Sequence, residues 1–381
     1  MNSPIVAVVG GGQLARMMAP AATALGITLR VLVESEQASA ADAAHETVVG
    51  LPTDPDAVRR LLAAPHPDVV TWEHEHIPAD VFEQCAAAGV PARPGAEALR
   101  YAQDKIEMRT RMDELAMPNP AWMAVETDAE VEAFLADHGG EAVLKTARGG
   151  YDGKGVRVIR AAEDAHDWLV SAASGGPRLL IEAKVAFRRE LAVQVARRPS
   201  GECAVWPVVE SIQRDGVCSE VTAPAPDLAP ELAAQARTLA VSIAQSLDVT
   251  GVLAVELFEV EGALIINELA MRPHNSGHWS IDGSATSQFE QHLRAVLDLP
   301  LGDTAAHSPW TVMANVLGGE RHDLAEALGE VGDPGAKIHL YAKGVRRGRK
   351  VGHVTVTGGD RDETYRRAVD AAAIVRDGGA E

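Results

Sequence analysis

The chain has 381 residues, of which 46% are hydrophobic, and a formal net charge of -19. That length exceeds what one core organises and suits two or three domains, while the acidic balance argues against a general binder of nucleic acid or anionic membranes, which would need a positive face for phosphates. Three widely spaced cysteines, Cys85, Cys203 and Cys218, fit neither a disulfide framework nor a zinc site and predict packed or idle thiols in a reducing cytoplasm.

Residues 5–9 form a short apolar run that predicts a strand and is too short for a signal peptide; no later run reaches membrane-spanning length. Gly10-Gly11-Gly12-Gln13 then predicts a tight turn, 14–25 a helix closed by Gly26, and 27–33 a second strand, which together make a βαβ opening. The turn places backbone N–H groups at a helix N-terminus, where an anion is favoured. The third glycine of the dinucleotide fingerprint is missing, with Arg16 nearby, although Glu34 ends the second strand where a ribose ligand would sit, so a nicotinamide oxidoreductase stays as a minor alternative. Residues 69–78 read as a later strand with Glu73, His74, Glu75 and His76 at its carboxyl end, the side on which open α/β sheets bind ligands; a capping cluster for the next helix is the competing reading.

The pattern changes near Pro91 and Pro94. Residues 96–115 predict one charged helix with Asp104 and Lys105 near its middle, and Pro118 and Pro120 then break the chain. Residues 142–146 form a strand carrying Lys145, 147–155 a glycine-rich loop, and 156–159 a second strand. Strand, glycine loop and strand make a flap able to lay amides over phosphates. It is not a P-loop, because Arg148 stands at the first glycine position and Gly155 replaces the magnesium-binding hydroxyl. A further strand over 179–185 carries Glu182, where a carboxylate and an open backbone edge could read adenine and ribose. Glu190 begins the next strand, and 229–247 is an amphipathic helix.

Two apolar runs follow, 252–258 and 263–266, joined by a predicted turn over 259–262. A turn centred on Gly262 sets Glu256 opposite Glu268. Like charges facing each other across a sheet are destabilising unless a divalent cation lies between them, and hard oxygen ligands suit magnesium or manganese; the alternative places Glu256 at a watered edge. The second strand runs into Asn267, Glu268, Arg272, His274, Asn275 and His278, with Pro273 and Gly277 ending regular structure. So many polar groups after a buried strand need something to pair with, and a metal ion and a phosphate would serve. Residues 284–297 predict a packing helix. Residues 338–356 alternate like a hairpin whose turn is basic, with Lys343, Arg346, Arg347, Arg349 and Lys350. The turn is either a monophosphate anchor or a solvated loop.

Seven stretches carry a resemblance spanning nearly the whole chain: Gly10-Gly11-Gly12-Gln13-Leu14, Thr71-Trp72-Glu73-His74-Glu75, Lys145 through Gly155, Asn267-Glu268, Arg272-Pro273-His274-Asn275-Ser276-Gly277-His278, Ser287-Gln288-Phe289-Glu290, and Gly348-Arg349-Lys350-Val351-Gly352-His353. The sequence resembles the ATP-grasp superfamily and, within it, the N5-carboxyaminoimidazole ribonucleotide synthase family of purine biosynthesis. Met271 stands where that family commonly has proline, Lys105 where it has arginine and Gln213 where it has histidine.

The resemblance implies an α/β (α+β) ATP-grasp protein in three parts. These are a Rossmann-like substrate domain over 1–100, an ATP-grasp domain over 101–300 with a flap at about 120–183, and a small β-rich domain over 301–381 that closes the substrate site. It implies ATP-dependent carboxylation of 5-aminoimidazole ribonucleotide by bicarbonate, through carboxyphosphate, in a cytoplasmic homodimer whose product passes to a mutase. ATP would be held by Lys105, Lys145, the loop residues Gly150, Tyr151, Asp152, Gly153, Lys154 and Gly155, the strand end Glu182, Ala183, Lys184 and Val185, and by Glu190, Gln213, Asn267 and Glu268. Magnesium or manganese would lie on Glu256 and Glu268. The ribonucleotide would meet Gln13, Glu73, Tyr151, Arg272, His274, Asn275, Lys343, Arg349 and Lys350. Arg272, His274, Asp152 and Lys154 are the expected catalytic groups, with His274 the candidate base ahead of Asp152. Another ATP-grasp carboxylate–amine ligase, such as a formate-dependent glycinamide ribonucleotide transformylase, is the nearest alternative, and a non-catalytic nucleotide-binding regulator a more distant one.

Overall fold

The computed structural model describes residues 3–150, 154–214 and 216–378. Its first sheet is parallel, with β1 (Ile5–Val9), β2 (Thr28–Val33), β3 (Glu46–Val49) and β4 (Val69–Trp72) in the order β3-β2-β1-β4. Helix Gln13–Ala24 crosses from β1 to β2, so the expected βαβ opening is present. Both faces of the inner strands are covered, which is why β1 reads as an unbroken apolar run and β2 is apolar but for Thr28 and the buried Arg30.

The second sheet is the flap, with β5 (Trp122–Val125), β6 (Ala142–Thr146), β7 (Val156–Ile159) and β8 (Leu179–Ala183) in the antiparallel order β5-β8-β6-β7. It packs on helices Asp128–Asp137 and His166–Ala173 around its own core of Val131, Phe134, Leu144, Leu169 and Ile181. The third sheet has nine strands: β9 (Arg189–Arg197), β10 (Cys203–Val205), β11 (Val209–Arg214), β12 (Val217–Ala223), β13 (Gly251–Val260), β14 (Ala263–Ala270), β15 (Trp310–Leu317), β16 (Lys337–Leu340) and β17 (Lys350–Gly358). Its main path runs β14-β13-β9-β11-β12-β15-β17-β16. The strands after residue 301 therefore continue the central sheet through the β12–β15 pairing rather than building a sheet of their own.

Three sequence expectations shift. The helix foreseen over 96–115 is two helices, Ala96–Gln103 and Lys105–Glu114, broken at Asp104. Asp104 is buried and extended, and its Oδ1 accepts from the N–H groups of Ile106 (3.0 Å) and Glu107 (3.3 Å), which starts the second helix afresh. The helix foreseen over 284–297 begins only at Gln288, because the Ser287 hydroxyl caps Glu290 N at 3.1 Å. The 179–185 strand stops at Ala183. One continuous core, including Trp72, Met108, Leu191, Ile243 and Leu253, joins the first sheet to the large one. Helices Ala96–Gln103, Lys105–Glu114 and Pro230–Ser246 lie between them.

Candidate active site

The hairpin β13–β14 turns on Glu261 (φ 49°) and Gly262 (φ 80°), both left-handed, the two-residue geometry that suits the strand twist. An unbroken ladder from the closing pair Val260–Ala263 would set Glu256 against Asn267. Instead the register slips between Glu256 and Leu257, Asn267 takes up the extra residue, and Glu256 faces Glu268. The expected pair is present, and a bulge creates it rather than the turn. Burial and the neighbouring Glu268 charge push the Glu256 carboxyl up to about 8. Burial also pushes Glu268 up, but Lys105, whose Nζ donates to Glu268 Oε1 at 3.0 Å, outweighs it and keeps the group ionised. Two unlike protonation states in one carboxylate pair mark a place where a divalent cation fits. Magnesium takes one or two protein carboxylates and fills its shell with phosphate oxygens and water. No group of three or more histidine, cysteine, aspartate or glutamate side chains placed to hold a metal exists among the described residues.

Beside the pair, Lys145 on β6 and Glu182 on β8 meet at 2.7 Å, and Arg109 donates its Nε to the other Glu182 oxygen at 2.8 Å. Burial would raise the Glu182 carboxyl, yet the two cations hold it down at about 2. Glu182 was expected to read adenosine. Its side chain instead faces inward with both oxygens taken by cations. Lys184 likewise turns away and pairs with Glu141 on the surface at 2.8 Å. Glu190 is pushed up by burial and paired with Gln213, whose Nε2 also donates to Ser211 Oγ at 3.1 Å. Glu190 adds to the negative field at Glu256. Asn267 offers its carbonyl to Arg109 at 2.8 Å. At the flap, Thr146 N donates to Gly155 O at 2.9 Å, which closes the neck of the loop; Gly150 and Lys154 flank it. Tyr151, Asp152 and Gly153 lie outside the described residues.

On the opposite side the turn at Gly10–Gly12 encloses a protein carboxylate. Glu73 Oε1 accepts from Leu14 N at 3.2 Å, and a Cβ on Gly12 would collide with that carboxylate. The acceptor at this helix start is thus the Glu73 carboxyl itself, and the competing capping reading is excluded, since helix Ala79–Ala87 takes no side-chain cap. Burial pushes Glu73 up to about 7 against the pull of Leu14 N, Arg272 and Lys343. Lys343 Nζ donates to Gln13 Oε1, which binds the C-terminal basic loop to the first turn of the chain. Arg272 pairs with Glu75 at 2.9 Å. The imidazole of His274 has Nε2 at 3.7 Å from Glu256 Oε1 and Nδ1 at 2.9 Å from Ser276 Oγ. Burial, with the charges of Arg272 and Lys350, holds His274 well below its usual value, so the ring is neutral. Asn275 is buried, with Oδ1 unpartnered among the described residues. Lys350 bears electrostatically on Glu256, His274 and His278 and so faces this centre. Arg349 does not join it. It is exposed, and its Nη1 donates back to Gly344 O at 3.1 Å.

Several residues that organise the site escaped sequence reasoning. Arg109 is fully buried and donates to Glu182, Asn119 Oδ1 and the carbonyls of Ile266 and Asn267. It lies on a charge-rich helix that also buries Ile106, Met108 and Met112, and nothing in its residue type set it apart from its exposed neighbours. Asp104 Oδ2 accepts from Arg148 and Arg178, both at 2.9 Å, and so docks the flap where the end of β6 and the start of β8 lie side by side. Phe187, 44% exposed, stacks on Phe258 at 4.6 Å, and Phe258 pairs with Glu190 across the sheet. Glu75 was noted only as one of a cluster.

The chain matches the ribonucleotide synthetase preATP-grasp domain family over residues 4–103, the ATP-grasp domain family over 110–289, and the phosphoribosylaminoimidazole carboxylase C-terminal domain family over 311–367. It is 49% identical to the N5-carboxyaminoimidazole ribonucleotide synthase of Mycobacterium tuberculosis, covering 97% of this chain and 87% of that one. The crystal structure of N5-carboxyaminoimidazole ribonucleotide synthetase from Thermus thermophilus superposes with a TM-score of 0.84 at 38% identity, over 97% of each chain. The Aspergillus clavatus N5-carboxyaminoimidazole synthase in complex with ADP and 5-aminoimidazole ribonucleotide superposes at 0.87 with 33% identity, over 98% of this chain and 99% of that one. A fold of three sheets, a carboxylate pair beside a lysine-bearing flap, and relatives this similar over nearly the full length place the chain in the N5-carboxyaminoimidazole ribonucleotide synthase family of ATP-grasp ligases.

Proposed function

We propose that the protein is an ATP-dependent ligase that carboxylates the exocyclic amine of 5-aminoimidazole ribonucleotide with bicarbonate, giving N5-carboxyaminoimidazole ribonucleotide, ADP and phosphate. The observation that carries this reading is that the nucleotide-side pair Glu256–Glu268 and the ribonucleotide-side groups Arg272, His274 and Lys350 share one centre, joined to the N-terminal turn by Lys343 and Gln13. The formate-using ligase is not favoured, since the relatives reported above are synthases of the carboxyamino product.

A bicarbonate oxygen attacks the γ-phosphorus, ADP leaves, and carboxyphosphate results. The amine nitrogen then attacks its carbonyl carbon, phosphate departs and one proton is lost. Lys145, positioned by Glu182, and the flap amides from Gly150 to Gly155 hold the polyphosphate. Ala183, Val185, Glu190 and Gln213 border the nucleoside, with the open face of Phe187 available for the base. Glu256 and Glu268 would hold magnesium or manganese, which when bound neutralises charge on the phosphate oxygens. Arg272 stabilises the anionic carboxylated species. Lys350 and Lys343 attract the ribonucleotide phosphate, while Gln13 and Glu73 face its sugar and base. A neutral His274 can take the amine proton. The reading extends to a cytoplasmic homodimer, with product passed to the mutase that makes the C4-carboxylated ribonucleotide, and to substrate, ATP-grasp and closing domains over 1–100, 101–300 and 301–381. Its support there is family membership. No described helix is long and apolar enough to cross a membrane.

The test is ADP release measured with each substrate omitted in turn. Release that needs both bicarbonate and aminoimidazole ribonucleotide supports the reading. Release driven equally well by glycinamide ribonucleotide and formate overturns it.

A further inference from the structure

Helix Gln288–Val296 begins with a glutamine that the reaction above does not use. Gln288 is fully buried, and its side-chain amide directs its entire hydrogen-bonding capacity into the protein. Its Oε1 accepts from His274 N at 2.8 Å and from Gln194 Nε2 at 2.9 Å. Its Nε2 donates to His274 O at 2.8 Å and to His278 Nδ1 at 2.8 Å. The amide orientation is settled without inspecting hydrogens, since a backbone N–H must meet the oxygen and a backbone carbonyl must meet the nitrogen. The side chain thus grips both polar groups of the His274 backbone, as a neighbouring strand would, at a point where β14 has ended and no strand is available.

The same nitrogen fixes a tautomer. His278 Nδ1 accepts from Gln288, so its proton rides on Nε2; burial keeps the ring neutral. A second fastening comes from Ser280, whose hydroxyl accepts from Gln288 N at 2.9 Å and donates to Gly277 O at 2.6 Å. Among the described residues the hydrogen bonds that tie the turn 274–280, with His274 beside Glu256, to the rest of the protein converge on this helix start, while Trp279 and His278 add packing.

We propose that Gln288 is a positioning residue for the carboxylation step: it sets the place and direction of the His274 backbone, and through it the imidazole, without touching substrate. This rests on the functional reading above. A group misplaced by about 1 Å can cost on the order of 100-fold in rate. The nucleotide is held by Lys145, the flap, the end of β8 and Glu190 at the start of β9, whereas Gln288 meets β9 only further along, at Gln194, and otherwise fastens the His274 turn, so nucleotide affinity should not depend on it.

Two variants test the assignment, with the wild-type protein assayed beside them. Gln288→Leu keeps the volume and removes all four bonds; Gln288→Glu keeps the shape and the acceptor for His274 N but, ionised, cannot donate to His274 O. Expected for both is a fall in kcat for aminoimidazole-ribonucleotide-dependent ADP release of about 10-fold to 100-fold, with the ADP dissociation constant within about twofold of wild type and Gln288→Glu the milder. A wild-type rate lacking dependence on the ribonucleotide would defeat the functional reading instead. With wild-type dependence intact, unchanged kcat in the folded variants overturns the assignment. So does a parallel loss of ADP affinity, or failure of both variants to fold, since either makes Gln288 a general support of the fold.

Discussion

Replacing Glu256 by glutamine should make the protein's stability less sensitive to pH while abolishing its response to metal. The folded protein holds the Glu256 carboxyl at about 8, against 4.5 for an unperturbed glutamate, because burial and the Glu268 charge oppose its ionisation. Below pH 4.5 the group is protonated in both states and contributes nothing. Above 4.5 the unfolded chain ionises while the folded protein keeps its proton, so stability falls as pH rises, until both forms are ionised above 8. At about 1.4 kcal/mol per pH unit, the folded protein loses about 2 kcal/mol between pH 6 and 8 from this group alone. The side chain is 19% exposed, which sets that figure as an upper bound. Glutamine mimics the protonated acid and never ionises, so the loss disappears in Glu256→Gln. Thermal unfolding in chelator, scanned over that pH range, would show the difference between the two proteins widening by roughly 2–3 °C toward alkaline pH. Glu73, raised to about 7, titrates in both and cancels in the difference. Magnesium with ADP should then raise the wild-type midpoint and leave that of the variant nearly unmoved. Parallel pH profiles for the two proteins would refute the argument that Glu256 is held protonated in the empty site.

Glu268→Gln should abolish ATP turnover in a folded protein, and near-normal ADP release would exclude its role at the phosphates. Lys350→Ala should raise KM for the ribonucleotide far more than for ATP, because Lys350 bears on His274 and His278; equal effects would count against it as an anchor. Arg109→Leu removes the partner of a buried carboxylate and three further acceptors. A destabilisation of about 3–5 kcal/mol in denaturant unfolding is expected, and a change under about 1 kcal/mol would show that Lys145 alone satisfies Glu182. Asp104→Ala loses a helix cap and two bonds to half-exposed arginines, at about 2 kcal/mol, with a rise in KM for ATP as the flap loosens; an unchanged KM would separate Asp104 from flap docking.

Local chemistry made much of this protein legible from its sequence. Apolar runs ending in turn residues marked β1, β6, β13 and β14, because burial of a strand and the conformational demands of its turn both act within a few residues. The polar run from Asn267 to His278 announced a site for the same reason. What acts between distant residues was hidden. A bulge at Asn267, invisible in composition, brings Glu256 opposite Glu268. Glu182 looks like a ligand residue at a strand end, and only the arrival of Arg109 from 73 residues earlier turns it into an internal counter-ion. The cap at Asp104 splits a run with continuous helical periodicity, since the arginines that make burial of that carboxylate favourable come from the flap.

The sequence alone determined which side chains are available for the chemistry, and which short segments are strands or turns, because propensity and patterning are local properties. The tertiary structure decided which of those side chains share one centre and which are occupied in holding it in place, because burial and charge pairing depend on partners far away along the chain.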